Sequence, residues 1–198
     1  MSAAASTTLL IKTNMPKIVL AFAGKLASGK AVCQKYITEK HQADNTKFSA
    51  ALRDILTRLY LPISRENMQS LSLDLRNRFG SDVLAKAIAE DVKNSQKNII
   101  VVDGIRRLDD IISLKDIPGF HLISIDADPE LRYERMKKRN ENVGDAEKSF
   151  EEFLEDGRRE AELQIPEVMS AAKFHLDNNG DLPALYTQID KILQEIQN

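Results

Sequence analysis

The chain has 198 residues, of which 42% are apolar and 29% charged, and its formal net charge is −2. That length suits one domain with a substantial core, and near-balanced charge argues against the basic face of a nucleic-acid-binding protein. A single cysteine, Cys33, excludes an internal disulfide and a cysteine-rich metal site, and no apolar run approaches the length of a membrane-crossing helix.

In chain order, residues 1–14 (MSAAASTTLLIKTN) have no basic n-region and only a short apolar patch, so they read as a flexible leader and not a signal peptide. The folded domain is expected over residues 15–198, in the cytoplasm. Lys17–Ala23 is an almost continuous apolar run ending at Gly24, the pattern of a strand buried on both faces. GKAVCQKYITEKH then predicts an amphipathic helix, and TKFS a short strand. SAALRDILTRLYL has helical spacing and stops at Pro62. The next helix runs from Ser64 as N-cap to Gly80 as C-cap, and SDVLAKAIAEDVKNS reads as another capped helix. NIIVVDG and HLISIDA repeat the buried-strand pattern, and DPELRYERMKKRN follows as a helix. Residues 141–165 are strongly charged with little core. KFHLDNNG gives a last strand and turn, and DLPALYTQIDKILQEIQ a closing amphipathic helix.

Buried strands alternating with helices predict an α/β fold with a parallel sheet covered on both faces. Ligands of such sheets bind beyond the carboxyl ends of the strands. Three polar turns fall there: the glycine loop after the first strand, Asp103, and Asn178–Gly180.

The stretch GKLASGKAV has nearly the spacing G-x-x-x-x-G-K-[ST], with Gly24, Gly29 and Lys30 in place between a strand and a helix. Such a loop presents successive backbone N–H groups and a helix N-terminus to a phosphate, and the lysine reaches the β/γ oxygens. Ala31 stands where a magnesium-binding hydroxyl normally sits, and Val32 offers none. Magnesium would then be held by phosphates, water and an acidic residue. Asp103, at a strand end about 70 residues after Lys30, suits that role through water. Arg106 and Arg107 follow it and suit bidentate capture of an acceptor phosphate. Arg53, with Ser49 at i−4, is a second candidate for the acceptor. Arg132, Arg135 and Arg139 recur at helical spacing ahead of the charged segment and suit a phosphate clamp, with Arg158 and Arg159 on its far side. Each arginine alone also fits a surface salt bridge, and the Asn178 turn a plain strand-to-helix connection.

Together GKLASGKAV, FSAALRDIL, VVDGIRR, the arginine-rich helix and LDNNGDLPAL resemble the nucleoside monophosphate kinase group of P-loop kinases. Deoxynucleoside monophosphate kinases and dephospho-CoA kinases are the nearest in pattern, over most of residues 16–196. Adenylate-kinase-type loops read G-K-G-T; here Ala31 and Val32 replace the glycine and the threonine. VDGIRR is similar to the D-G-x-P-R turn whose arginine binds the acceptor phosphate. Alignment from the aspartate selects Arg107, whereas related D-G-I-R turns select Arg106. LDNNG is similar to the adenine-side turn of dephospho-CoA kinases.

The resemblance implies a P-loop NTPase three-layer α/β/α fold with a mostly parallel sheet. It also implies an acceptor-binding helical region at about 49–95 and a helical lid at about 139–164. The implied activity is transfer of the γ-phosphoryl of ATP, with Mg²⁺, to a (deoxy)nucleoside monophosphate; dephospho-CoA is the alternative acceptor. Lys30, Asp103, Arg135 and Arg139 would be catalytic. Gly24, Lys25, Leu26, Ala27, Ser28, Gly29, Lys30, Ala31 and Val32, with Asn178, Asn179 and Gly180, would bind ATP. Ser49, Arg53, Arg106 and Arg107 would bind the acceptor, in a pocket whose further polar residues include Arg58, Gln69 and Arg76. Val32 keeps open a nucleotide-binding protein that has lost transfer. The expected partner is a small-molecule phosphoryl acceptor, with no nucleic acid and no membrane; the oligomeric state is left open.

Overall fold

The computed structural model describes residues 18–140, 145–158 and 163–198. The expected leader, Arg159 and parts of the expected lid lie outside them.

Five strands form one sheet in the order β2-β3-β1-β4-β5, and every pairing is parallel. They are β1 (Ile18–Ala23), β2 (Asp44–Lys47), β3 (Ile99–Asp103), β4 (Phe120–Asp126) and β5 (Phe174–Asp177). The all-parallel sheet explains why the central strands read as unbroken apolar runs: helices cover both faces, so both sets of alternate side chains are buried. Val19, Ala21 and Ala23 of β1 enter one core, and Ile18, Leu20 and Phe22 enter the other. The second core is closed by α1 (Lys30–His41) and α9 (Leu182–Gln197), through Cys33, Ile37, Leu185, Ile189 and Leu193. The first is closed by α2 (Phe48–Arg58), α4 (Val83–Asn94) and α8 (Ile165–Ser170). Three layers result, with β1 at the centre of the sheet and its carboxyl end on the rim.

The helix boundaries follow capping chemistry. Ser64 accepts the amide of Asn67 to start α3 (Arg65–Phe79), and Gly80 ends it. Asp82 precedes α4 without capping it through its side chain and pairs with Lys86 at 2.9 Å instead. β2 begins two residues earlier than the TKFS reading, because Phe48 is buried in the core as the first residue of α2. Two short helices have no clear sequence signal: α5 (Asp109–Ile112) and α8.

After α6 (Pro129–Arg139), the segment read as charged with little core holds an aromatic cluster. Ser149 and Glu152 form a capping box that starts α7 (Phe150–Asp156). Phe153 is buried, with Tyr133 and Phe150 rings at 5.7 and 6.3 Å and the Arg132 guanidinium over its face. Three aromatic residues suffice here because they face one another across α6 and α7.

Candidate active site

The loop from Gly24 to Gly29 leaves the carboxyl end of β1 and enters α1 at Lys30. Both glycines are forced by crowding. A Cβ on Gly24 would sit 2.4 Å from the Ile125 carbonyl oxygen, and one on Gly29, where φ is +113°, would sit 2.2 Å from Asn178 Nδ2. Ala27 also takes a left-handed φ, of +59°. The loop therefore curls tightly before the helix N-terminus, a geometry suited to phosphate oxygens. The Lys30 ammonium arches back over it and donates to the carbonyls of Gly24 and, at 3.0 Å, Lys25. A cation poised above the loop is what a bound polyphosphate would meet.

Behind the loop lies a buried polar bracket. Asn178 is 3% exposed, and its Nδ2 donates to the Ser28 carbonyl at 2.7 Å. Its backbone N–H donates to the Asp126 carbonyl, and its own carbonyl accepts from Arg135 Nη2 at 2.9 Å. The side chain of Asn178 thus faces the protein interior. Among the base-side candidates only Asn179 and Gly180 are exposed, and Asn178 sets the loop's shape. Arg132 is likewise turned inward: it is buried and donates to the carbonyls of Ala127 and Leu26. Burial lowers the pKa of both guanidiniums. Arg139 closes α6 on the exposed side, as Arg158 does beyond α7.

Asp126, at the end of β4, has no place in the sequence reading. It sits 3.4 Å from Lys25 and 3.8 Å from Arg132, and accepts from the Ala127 amide. The only available signal was its position at a strand end. With Lys25, Asn179 and His175 it lines an open cavity of about 660 Å³ bounded by α8.

On the other flank of β1, Ala21 pairs with Val102, so Asp103 ends β3 beside the loop. Asp103 lies 3.9 Å from Lys47, its register partner on β2. Gly104, at φ +91°, turns the chain sharply after it and packs on Phe48. The turn brings Arg106 and Arg107 to the same end of the sheet, Arg106 exposed and Arg107 half-buried. Their backbone amides each donate to Asp110 at 3.0 Å. Ser49 and Arg53 lie on α2, which begins directly after Lys47; Ser49 is half-buried and Arg53 exposed. Arg58 and Gln69 are exposed farther along α2 and α3. Arg76 is not an open pocket residue, because it pairs with Asp110 at 2.6 Å.

The donor set fits a nucleotide phosphate chain with its usual cation, on restricted terms. Ala31 is exposed and Val32 packs on the second core, so neither offers an oxygen. The Ser28 hydroxyl is fully buried beneath the loop without a hydrogen-bond partner. Asp103 on β3 and Asp126 on β4 are the strand-end carboxylates that flank the loop, and Asp126 is the one in contact with it, 3.4 Å from Lys25. Cys33 has no part in this chemistry: burial pushes its thiol pKa up to about 12, so it is a core residue.

This fold is that of the P-loop kinases. A shikimate kinase of Bacteroides thetaiotaomicron has a TM-score of 0.59 at 12% identity, covering 91% of this chain and 99% of that one. A gluconokinase of Sinorhizobium meliloti has a TM-score of 0.51 at 14% identity, covering 91% and 96%. By sequence the chain is similar to a UPF0200 protein of Methanocaldococcus jannaschii, 29% identical over 185 residues and 91% of each chain. A UPF0200/UPF0201 protein of Archaeoglobus fulgidus is 30% identical over 184 residues, which are 90% of this chain and 55% of that longer protein. Those names state no activity, and no protein-family model matches the chain.

Proposed function

We propose that the protein is an ATP-dependent small-molecule kinase whose acceptor is a (deoxy)nucleoside monophosphate. The observation that carries this reading is the shared rim. The phosphate loop with Lys30, the strand-end Asp103 and the arginine turn occupy the carboxyl ends of the adjacent strands β1 and β3. Phosphoryl transfer needs alignment and charge neutralisation more than covalent chemistry, and those groups supply both.

The loop amides and Lys30 hold the β/γ-phosphates of the donor. Arg106 or Arg107, with Arg53 and Ser49, holds the acceptor's anionic group in line. Arg139 neutralises migrating charge from the lid side. Arg135 acts nearer the base, since one of its nitrogens is committed to the Asn178 carbonyl. Asp103 would orient magnesium through water, and such a cation would supply charge neutralisation. Exclusion of water by the segment beyond α6 keeps ATP from hydrolysis.

Dephospho-CoA remains the alternative acceptor, because LDNNG is shared with that resemblance. The fold neighbours add hydroxylated acids such as shikimate and gluconate to the substrates worth testing. The deciding assay is ADP release from Mg-ATP across nucleoside monophosphates, dephospho-CoA, shikimate, gluconate and no acceptor, with Lys30→Ala as control. Release driven by nucleoside monophosphates alone supports the reading. ATP binding without acceptor-dependent release would sink it in favour of a nucleotide-binding protein, the outcome that Val32 keeps open.

A further inference from the structure

One carboxylate ties the helices of the acceptor side to the turn that carries Arg106 and Arg107. Asp110 is 2% exposed. Its Oδ2 accepts the backbone amides of Arg106 and Arg107, both at 3.0 Å. Its Oδ1 accepts from Arg76 Nη2 of α3 at 2.6 Å, and Arg76 Nη1 donates to the Ser81 carbonyl in the α3–α4 connection. Two segments distant in sequence, residues 76–81 and 106–110, therefore meet at one buried ion pair. Gly104, at the start of the same turn, lies close to Phe48 of α2.

A buried ion pair is weak evidence for stability, since apolar residues of like volume often do as well. Its specific product is position. The two amides are the ones that carry the arginine side chains, and α5, which follows them, is a single turn without a side-chain cap. Arg76 comes from α3, within the region expected to bind the acceptor.

We propose that Asp110 and Arg76 are positioning residues for the phosphoryl acceptor. They hold the backbone at 106–107 so that a guanidinium meets the acceptor's anionic group, and they make that placement depend on where α3 sits. The inference rests on the proposed function for its substrate and on the geometry alone for the clamp.

The test compares the parent with Asp110→Asn, Arg76→Lys and Arg76→Gln. With whichever acceptor supports ADP release, Asp110→Asn raises acceptor KM about tenfold or more while kcat and MgATP affinity change less than about threefold. Arg76→Lys keeps the charge and recovers part of the loss that Arg76→Gln shows. A purely structural role would instead lower kcat, ATP affinity and folded fraction together, and that pattern, or an unchanged KM, overturns the proposal.

A second readout separates this proposal from the functional reading. Amide hydrogen exchange at Arg106 and Arg107, followed by NMR with and without inorganic phosphate, needs no turnover. Exchange at least about tenfold faster in Asp110→Asn, with phosphate-induced shifts at these amides lost, supports the clamp even if no acceptor is found. Unchanged exchange, or no phosphate-induced shift in the parent, overturns it.

Discussion

The side-chain amide of Asn178 donates to the carbonyl of Ser28 at 2.7 Å across 150 residues of chain. The same nitrogen fills the space where a side chain on Gly29 would go. The glycine loop is thus shaped from behind by the turn after β5. Asn178→Ala leaves the Ser28 carbonyl buried without that donor, at a cost of roughly 1–3 kcal/mol. We expect a lowered Tm and ATP affinity weakened by about tenfold, read by calorimetry on the same samples.

Gly29→Ala tests the other half of that contact. The left-handed φ and the clash with Asn178 both oppose it, and the strain alone is about 1–2 kcal/mol. In the Asn178→Ala background the clash is gone, so the second substitution should cost measurably less than in the parent. A double-mutant cycle on urea midpoints reads the difference, and strict additivity would show that the two residues do not meet.

Lys30→Ala removes the cation above the loop. Turnover should fall by about 10²-fold or more, the scale for losing one preorganised charge contact, with Tm nearly unchanged. Parent-like turnover would remove Lys30 from the chemistry.

Ala31→Ser offers the missing hydroxyl at an exposed position, whereas Val32→Thr would place one against the core. We expect Ala31→Ser to fold like the parent and to lower the Mg²⁺ concentration for half-maximal turnover several-fold. Val32→Thr should lose stability, by up to about 1 kcal/mol for a poorly partnered hydroxyl at a half-buried position. Magnesium titrations and thermal melts separate the two.

His121 gives a pH prediction. Burial, with Lys173 nearby, lowers its pKa below the usual 6.5. The unfolded chain therefore takes up the proton first. This contribution to stability is complete above pH 6.5 and is lost as pH falls toward the depressed folded value. His121→Gln should flatten that part of the Tm profile between pH 7.5 and 5.5, and an unchanged slope would contradict the assignment.

The sheet was legible because successive residues, such as Leu20 and Ala21 or Val101 and Val102, are buried in opposite cores, which writes an unbroken apolar run. The glycine loop was legible because its glycines obey local backbone rules. Asp126 and Asp110 were not, because an aspartate after a strand or in a turn looks the same whether it is solvated or clamps two segments. Asn178 was found as part of a turn, but its inward direction depends on Gly29, which is remote in sequence. Arg76 and Arg132 were read as site charges for the same reason: their partners are set by tertiary packing. α5 and α8 are too short to show a period.

The borders of the sheet have a consequence of their own. β2 is four residues, DNTK, with charges at both ends, and β5 is four residues with His175 and Asp177 outward. Neither border gives a second molecule a long, flat, apolar ladder to extend. At the high concentrations of a crystallisation drop or a crowded cell, these two short borders disfavour edge-to-edge growth of the sheet.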